Sequence, residues 1–183
     1  MEFTLKPSAP ATEKAGAVIV AQCADALSPA AQALDAASGG ALAKALKAAG
    51  FEGKPGQTQA LFALPGIAAE QVLVVGTGPA AELDTRGLQR AAAAAVKALA
   101  RSAKKAVSHL AELEVKGQDL NARLSDVVRA SLEAAYRFDD YKSKKGNGDG
   151  LAQLVLAVPD KAAATAGKPA VAWGRAVAAG VNR

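Results

Sequence analysis

The chain has 183 residues and a formal net charge of +5, from 22 lysines and arginines against 17 acids. That length fits one ordinary domain and is enough to bury a sizeable core without disulfide or metal staples. One cysteine, Cys23, excludes a disulfide scaffold, and one histidine, His109, excludes metal sites built from several imidazoles.

The elements read off in chain order as follows. Met1 to Lys6 alternates apolar and polar residues and carries an acid, which fits a short strand and not a signal peptide. Ala17-Val18-Ile19-Val20 is a continuous apolar run, the pattern of a strand covered on both faces. Ser28-Pro29 opens a helix, with Ser as its cap and Pro in the first turn, and Gly39-Gly40 closes it. A second helix carries Leu42 and Leu46 on one face and stops at Gly50. Gln57 to Leu64 alternates as a strand, and Val72-Leu73-Val74-Val75 is another doubly covered one, closed by Gly76-Thr77-Gly78-Pro79.

Asp84 caps a long helix with an inner stripe of Leu88, Ala91, Ala92, Ala95, Val96 and Leu99, spacings that follow the 3.6-residue period. Lys104 to Leu110 predicts a strand. Gln118-Asp119 starts a helix with Leu120, Leu124, Val127, Val128, Leu132 and Ala135 on one side. Lys142 to Gly150 reads as a polar loop and a candidate for local disorder, Leu151 to Val158 as a last buried strand, and Ala162 to Val181 as a helical tail. In that tail Trp173 and Val177, four apart, predict an apolar stripe. Strands alternating with helices of this length predict a three-layer α/β/α sandwich with a mixed, mostly parallel sheet.

Motifs that carry chemistry are few. Gly76-Thr77-Gly78 with Ala81 satisfies the loose dinucleotide pattern G-x-G-x-x-A, in which glycines let a pyrophosphate approach the backbone. Against it, Pro79 removes one N–H, the helix cap lies well past the glycines, and no acid stands at the required distance, so a strand-to-helix turn is the favoured reading. Gly53-Lys54 fails the phosphate-loop pattern, because Pro55 follows the lysine. His109 and Cys23 read as structural residues, and the pairs Glu112/Glu114 and Asp139/Asp140 as solvated charge. No catalytic or metal-binding residue is assigned. A pI near 9.4 permits a polyanion partner without demanding one. The candidate nucleic-acid contacts are Lys104 and Lys105, beside Arg101, and Lys142, Lys144 and Lys145; aromatic interleaving for stacking is missing. No apolar run reaches the roughly 18 residues of a membrane helix, so a soluble, cytoplasmic chain without a membrane partner is expected.

Several segments together resemble the N-terminal domain of the bacterial leucyl aminopeptidases, the cytosol aminopeptidases also called aminopeptidase A. They are Met1-Glu2-Phe3-Thr4-Leu5-Lys6, Glu52-Gly53-Lys54-Pro55-Gly56-Gln57-Thr58, Val72-Leu73-Val74-Val75-Gly76-Thr77-Gly78 and Glu112-Leu113-Glu114-Val115-Lys116-Gly117. Tyr136-Arg137-Phe138-Asp139-Asp140-Tyr141-Lys142 follows where the family has an aromatic-Asp-Lys segment. Their order and spacing match across nearly the whole chain.

The resemblance implies a sheet-and-helix domain similar to the macro domain, placed before a separate catalytic domain. In that family two divalent metals, manganese or zinc, are held in the catalytic domain, under the signature Asn-Thr-Asp-Ala-Glu-Gly-Arg. These 183 residues lack that segment, so no catalytic or metal role carries over and no cofactor is expected in this chain. The resemblance divides the chain into a macro-like domain, 1–160, and a helix, 161–183, leading to the catalytic domain. It implies that the chain alone is inactive and that its partners are that catalytic domain and the other protomers of a hexamer. DNA is the alternative partner, since some bacterial members also act in transcription control or recombination. An ADP-ribose or nucleotide site rests on the macro likeness alone.

Overall fold

Ala17–Cys23 is buried at every position, and so is Gln71–Gly76; such strands need a neighbour on each edge and a layer on each face. The computed structural model supplies both, describing residues 1–24, 26–140 and 150–181, with side chains except those of 137–140 and 181. The strands in chain order are β1 (Glu2–Pro7), β2 (Ala17–Cys23), β3 (Ala26–Leu27), β4 (Thr58–Phe62), β5 (Gln71–Gly76), β6 (Lys105–Ser108) and β7 (Gln153–Val158). The helices are α1 (Pro29–Ala37), α2 (Ala41–Ala48), α3 (Thr85–Leu99), α4 (Leu120–Asp140), α5 (Lys161–Ala166) and α6 (Lys168–Val181), with 3-10 turns at Ala80–Glu82 and Leu110–Glu112.

Among the described residues the sheet runs β1-β7-β6-β2-β5-β4, with β3 added to β2. Neighbours are parallel, except that β4 pairs antiparallel with β5 and β3 with β2. Alternation along the central strands sorts the core into two layers. Ile19, Ala21, Leu73 and Val75 pack with Leu88, Ala92 and Leu99 of α3 and Leu124 and Val128 of α4. Val18, Val20, Val72 and Val74 pack on the opposite face with Leu34 of α1 and Leu42 and Leu46 of α2. The expected α/β/α sandwich is therefore observed.

Local chemistry sets the helix starts. Ser28 Oγ accepts from Ala31 N–H, Asp84 Oδ1 from Gly87 N–H and Asp119 Oδ1 from Ala122 N–H, each satisfying a first-turn donor. All six residues of the α3 stripe predicted from periodicity are buried.

Beyond β2, the second face carries a small cluster of Val107, Val155 and Ala157, against which Ala15 packs. Ala15 comes from the 8–16 loop, which Ala68 N–H and Glu70 N–H tie down at Ala11 and Ala15 carbonyls. Glu13 anchors the loop from the other side, paired with Lys6 and accepting from Ser8 Oγ at 3.0 Å. Burial works to raise the Glu13 carboxyl, yet the hydrogen bonds from Lys6 and Ser8, with the charges of Lys6 and Lys105, hold it below its ordinary value.

The tail departs from its expected pattern. It forms two helices interrupted at Gly167, and Trp173 points outward, 67% exposed, while Val177 is half-buried. Glycine is the reason. A Cβ on Gly174 would meet Ser125 O at 2.6 Å and Val128 Cβ at 3.1 Å, and one on Gly167 would meet Leu124 Cδ1 at 2.8 Å. So α6 lies against α4 backbone-close along Gly174 and Ala178, with Ala170 and Val171 packed on the core, and the larger side chain turns away. Of the polar loop predicted at Lys142 to Gly150, residues 142–149 lie outside the described residues.

Candidate functional site

Open parallel sheets bind ligands beyond the carboxyl ends of their strands, where successive connections leave toward opposite faces. Here that point lies at β2, between its neighbours β5 and β6. The connection from β2 crosses the second face through α1 and α2, whereas those after β5 and β6 cross the first face through α3 and α4. The side chains at this end include Cys23 at the end of β2, Thr77 after β5, Ser108 at the end of β6 and His109 after it.

The glycines after β5 face their own chain. Gly76 N–H donates to Gln57 O (2.7 Å), Thr77 N–H to Gln22 O (3.1 Å) and Gly78 N–H to Gly53 O (2.9 Å), and Pro79 has none to give. Four consecutive positions thus offer no N–H to a phosphate. Space is used up as well. A Cβ on Gly76 would run into Lys54 O and lie 2.6 Å from Gly53 C, and one on Gly53 would run into Ala24 O. Gly53 (φ 67°) and Gly78 (φ 74°) have the left-handed backbone that glycine tolerates; Gly76 is needed for close approach alone. Gln57 Oε1 closes the 52–57 turn by accepting from Glu52 and Lys54 N–H, both at 3.2 Å. The structure thus takes the turn reading of the motif and supplies its reason.

The remaining side chains at this end hold the scaffold. Thr77 Oγ1 donates to Cys23 Sγ at 3.1 Å, and both residues are buried. Ser108 Oγ accepts from Leu110 N–H, which occupies it in a turn instead of presenting it as a nucleophile. His109 is buried, its N–H bonded to Ile19 O (3.0 Å) and its Nδ1 3.1 Å from Glu112 Oε2, so it joins β6 to β2 and to the following 3-10 turn. Among the described residues no group of three or more His, Cys, Asp or Glu is placed to hold a metal ion.

The candidate nucleic-acid lysines lie elsewhere. Lys104 is exposed and Lys105 half-buried, at the start of β6, the end of the strand away from His109. Part of the Lys105 charge acts on Glu13. Lys142, Lys144 and Lys145 fall outside the described residues.

The structure brings together a different set of cations that cluster-counting along the sequence missed. Arg86, Arg90 and Lys97 line a groove between α3 and α4, with Gln89 and Glu133. At 100° per residue those three cations fall within about 40° of one another on α3. Glu133 is already engaged by Arg129 at 2.8 Å, which raises the guanidinium pKa and leaves the groove's sign to α3. The signal was helical period, not adjacency: offsets of four and seven in a helix whose ordered segment carries no acid.

Fold and site together define a macro-type α/β/α domain in which the turn after β5 is closed by its own backbone. The match to known proteins is specific. The family model for the cytosol aminopeptidase family, N-terminal domain, matches residues 18–145, and the chain belongs to that family. A probable cytosol aminopeptidase of Methylobacillus flagellatus is 39% identical over 186 residues, covering 100% of this chain and 37% of the relative. Among solved structures, a tomato leucine aminopeptidase mutant superposes with a TM-score of 0.75 at 18% identity, over 99% of this chain and 36% of that one. A Trypanosoma brucei macrodomain superposes with a TM-score of 0.68 at 14% identity, over 93% of this chain and 67% of that one. The last two likenesses are of fold, and the chain spans little more than a third of the curated relative's length.

Proposed function

We propose that this chain serves as the non-catalytic N-terminal domain of a metal-dependent leucyl aminopeptidase, an enzyme that releases N-terminal amino acids, leucine preferred, from peptides. The observation that carries the reading is the N-terminal family match together with coverage of only 37% of a full relative. The described residues provide no ligand set for a metal. On this reading the two divalent ions, manganese or zinc, belong to the catalytic domain, and 1–160 and 161–183 act as domain and connector. The domain's own work is assembly of a cytoplasmic hexamer and control of access to the catalytic sites. The test is the size of the native product in a lysate of its source, detected with an antibody raised against this chain. A species carrying a large additional domain is expected; a product ending near Arg183 contradicts the reading.

The cations of α3 favour a second reading, a DNA-binding role. Arg86, Arg90 and Lys97 share one groove, whereas Lys104 and Lys105 lie beyond the far end of α3. Each phosphate contact steepens the salt dependence of binding. Replacing the three groove cations with glutamine should flatten the salt slope; binding with an unchanged slope removes them from any DNA surface.

A further inference from the structure

Helix α6 is apolar nearly all the way round: Lys168 and Arg175 are its polar side chains among the described residues. One apolar face is covered, with Gly174 and Ala178 buried against α4. The opposite face presents Pro169, Ala172, Trp173, Ala176 and Ala179, all exposed, at spacings that keep them along one side of the helix. A helix apolar on every side is normally enclosed. A tryptophan 67% exposed at the middle of such a face is the largest apolar side chain the molecule shows to water.

We propose that the outer face of α6, centred on Trp173, is the seat of the following domain of the same polypeptide, docked in cis. The inference rests on the reading of the chain as the N-terminal domain of a longer enzyme. Two observations select this occupant over a second copy. The relative has almost two thirds of its length outside the matching region, and the family match is to an N-terminal domain, so that length follows α6. The face is also small. Tryptophan buries about 150–250 Å² and the alanines around it add little, well below the roughly 600 Å² that each partner buries in even a small stable complex between separate chains. A tethered neighbour needs much less, because the linkage holds it at high effective concentration.

The support beneath this face is rigid. Close approach at Gly174 and Gly167 fixes α6 on α4 and the first β-strand, so Trp173 stands out from a helix whose position is already set. A preordered anchor of this kind loses little conformational entropy on docking.

Hydroxyl-radical footprinting of Trp173, the sole tryptophan of the chain, tests the proposal in the full-length enzyme and in the 183-residue chain. The full-length protein should label several-fold more slowly at Trp173, and Trp173→Ala should increase hydrogen exchange across 168–181 in the full-length protein alone. Equal labelling rates in the two proteins overturn the proposal. So does protection that vanishes when the full-length assembly is dissociated into folded protomers, or that appears in the 183-residue chain as its concentration rises, since either makes a second copy the occupant. A full-length product that releases leucine but leaves Trp173 open would defeat this inference and leave the functional reading standing.

Discussion

The carbonyl oxygen of Lys54 occupies the space that a Cβ on Gly76 would need. Two backbones meet there, and neither can yield as a flexible side chain would. Gly76→Ala should therefore cost about 2 kcal/mol or more, in the range of overpacked cores. Urea unfolding reads this directly as a lower midpoint, and an unchanged midpoint would contradict the close approach.

The same contact closes the turn after β5. With the N–H groups of Gly76, Thr77 and Gly78 all donated to the chain's own carbonyls, no anion cradle remains at this turn. Titration calorimetry with ADP-ribose should give no saturable heat. Saturable binding would mean that the 52–57 turn opens to admit it.

Glu13 makes part of the stability depend on pH. Its folded pKa lies below the ordinary 4.5, so the unfolded chain takes up the proton first. The contribution is complete above pH 4.5 and is lost as pH falls through the folded value. Glu13→Gln should lower stability at neutral pH and flatten the loss between about pH 5 and 3. Denaturation midpoints across that range should converge for the two proteins at the acid end; parallel curves would contradict the assignment.

Gly174→Ala tests how the tail is held. The added methyl would sit 2.6 Å from Ser125 O, so α6 must shift away from α4. A loss of about 1–3 kcal/mol is expected. Trp173→Ala in the 183-residue chain should change little, because the side chain packs on little there. Thermal unfolding of the two variants should therefore differ, with Gly174→Ala the lower.

Much of the fold was legible because burial on both faces writes itself as unbroken apolar runs. Ala17–Val20 and Val72–Val75 read as central strands and are adjacent in the sheet. The α3 stripe was legible because leucine, valine and alanine follow the helical period. The face turned by Trp173 was not, since α6 packs through Gly174, and a missing side chain leaves no hydrophobic mark. The closure of that turn was hidden for a related reason: Gly76 must be glycine because the backbone of Gly53, 23 positions away, and of Lys54 lies against it. The cations of α3 escaped notice because the eye collects adjacent lysines, whereas a helix collects residues four and seven apart.

The most direct test of the account is leucine release from a peptide by highly purified 183-residue chain, with Mn²⁺ or Zn²⁺ added, measured beside the full-length protein. The account predicts metal-dependent release by the full-length protein and none by the chain. Metal-dependent release by the chain itself would contradict it.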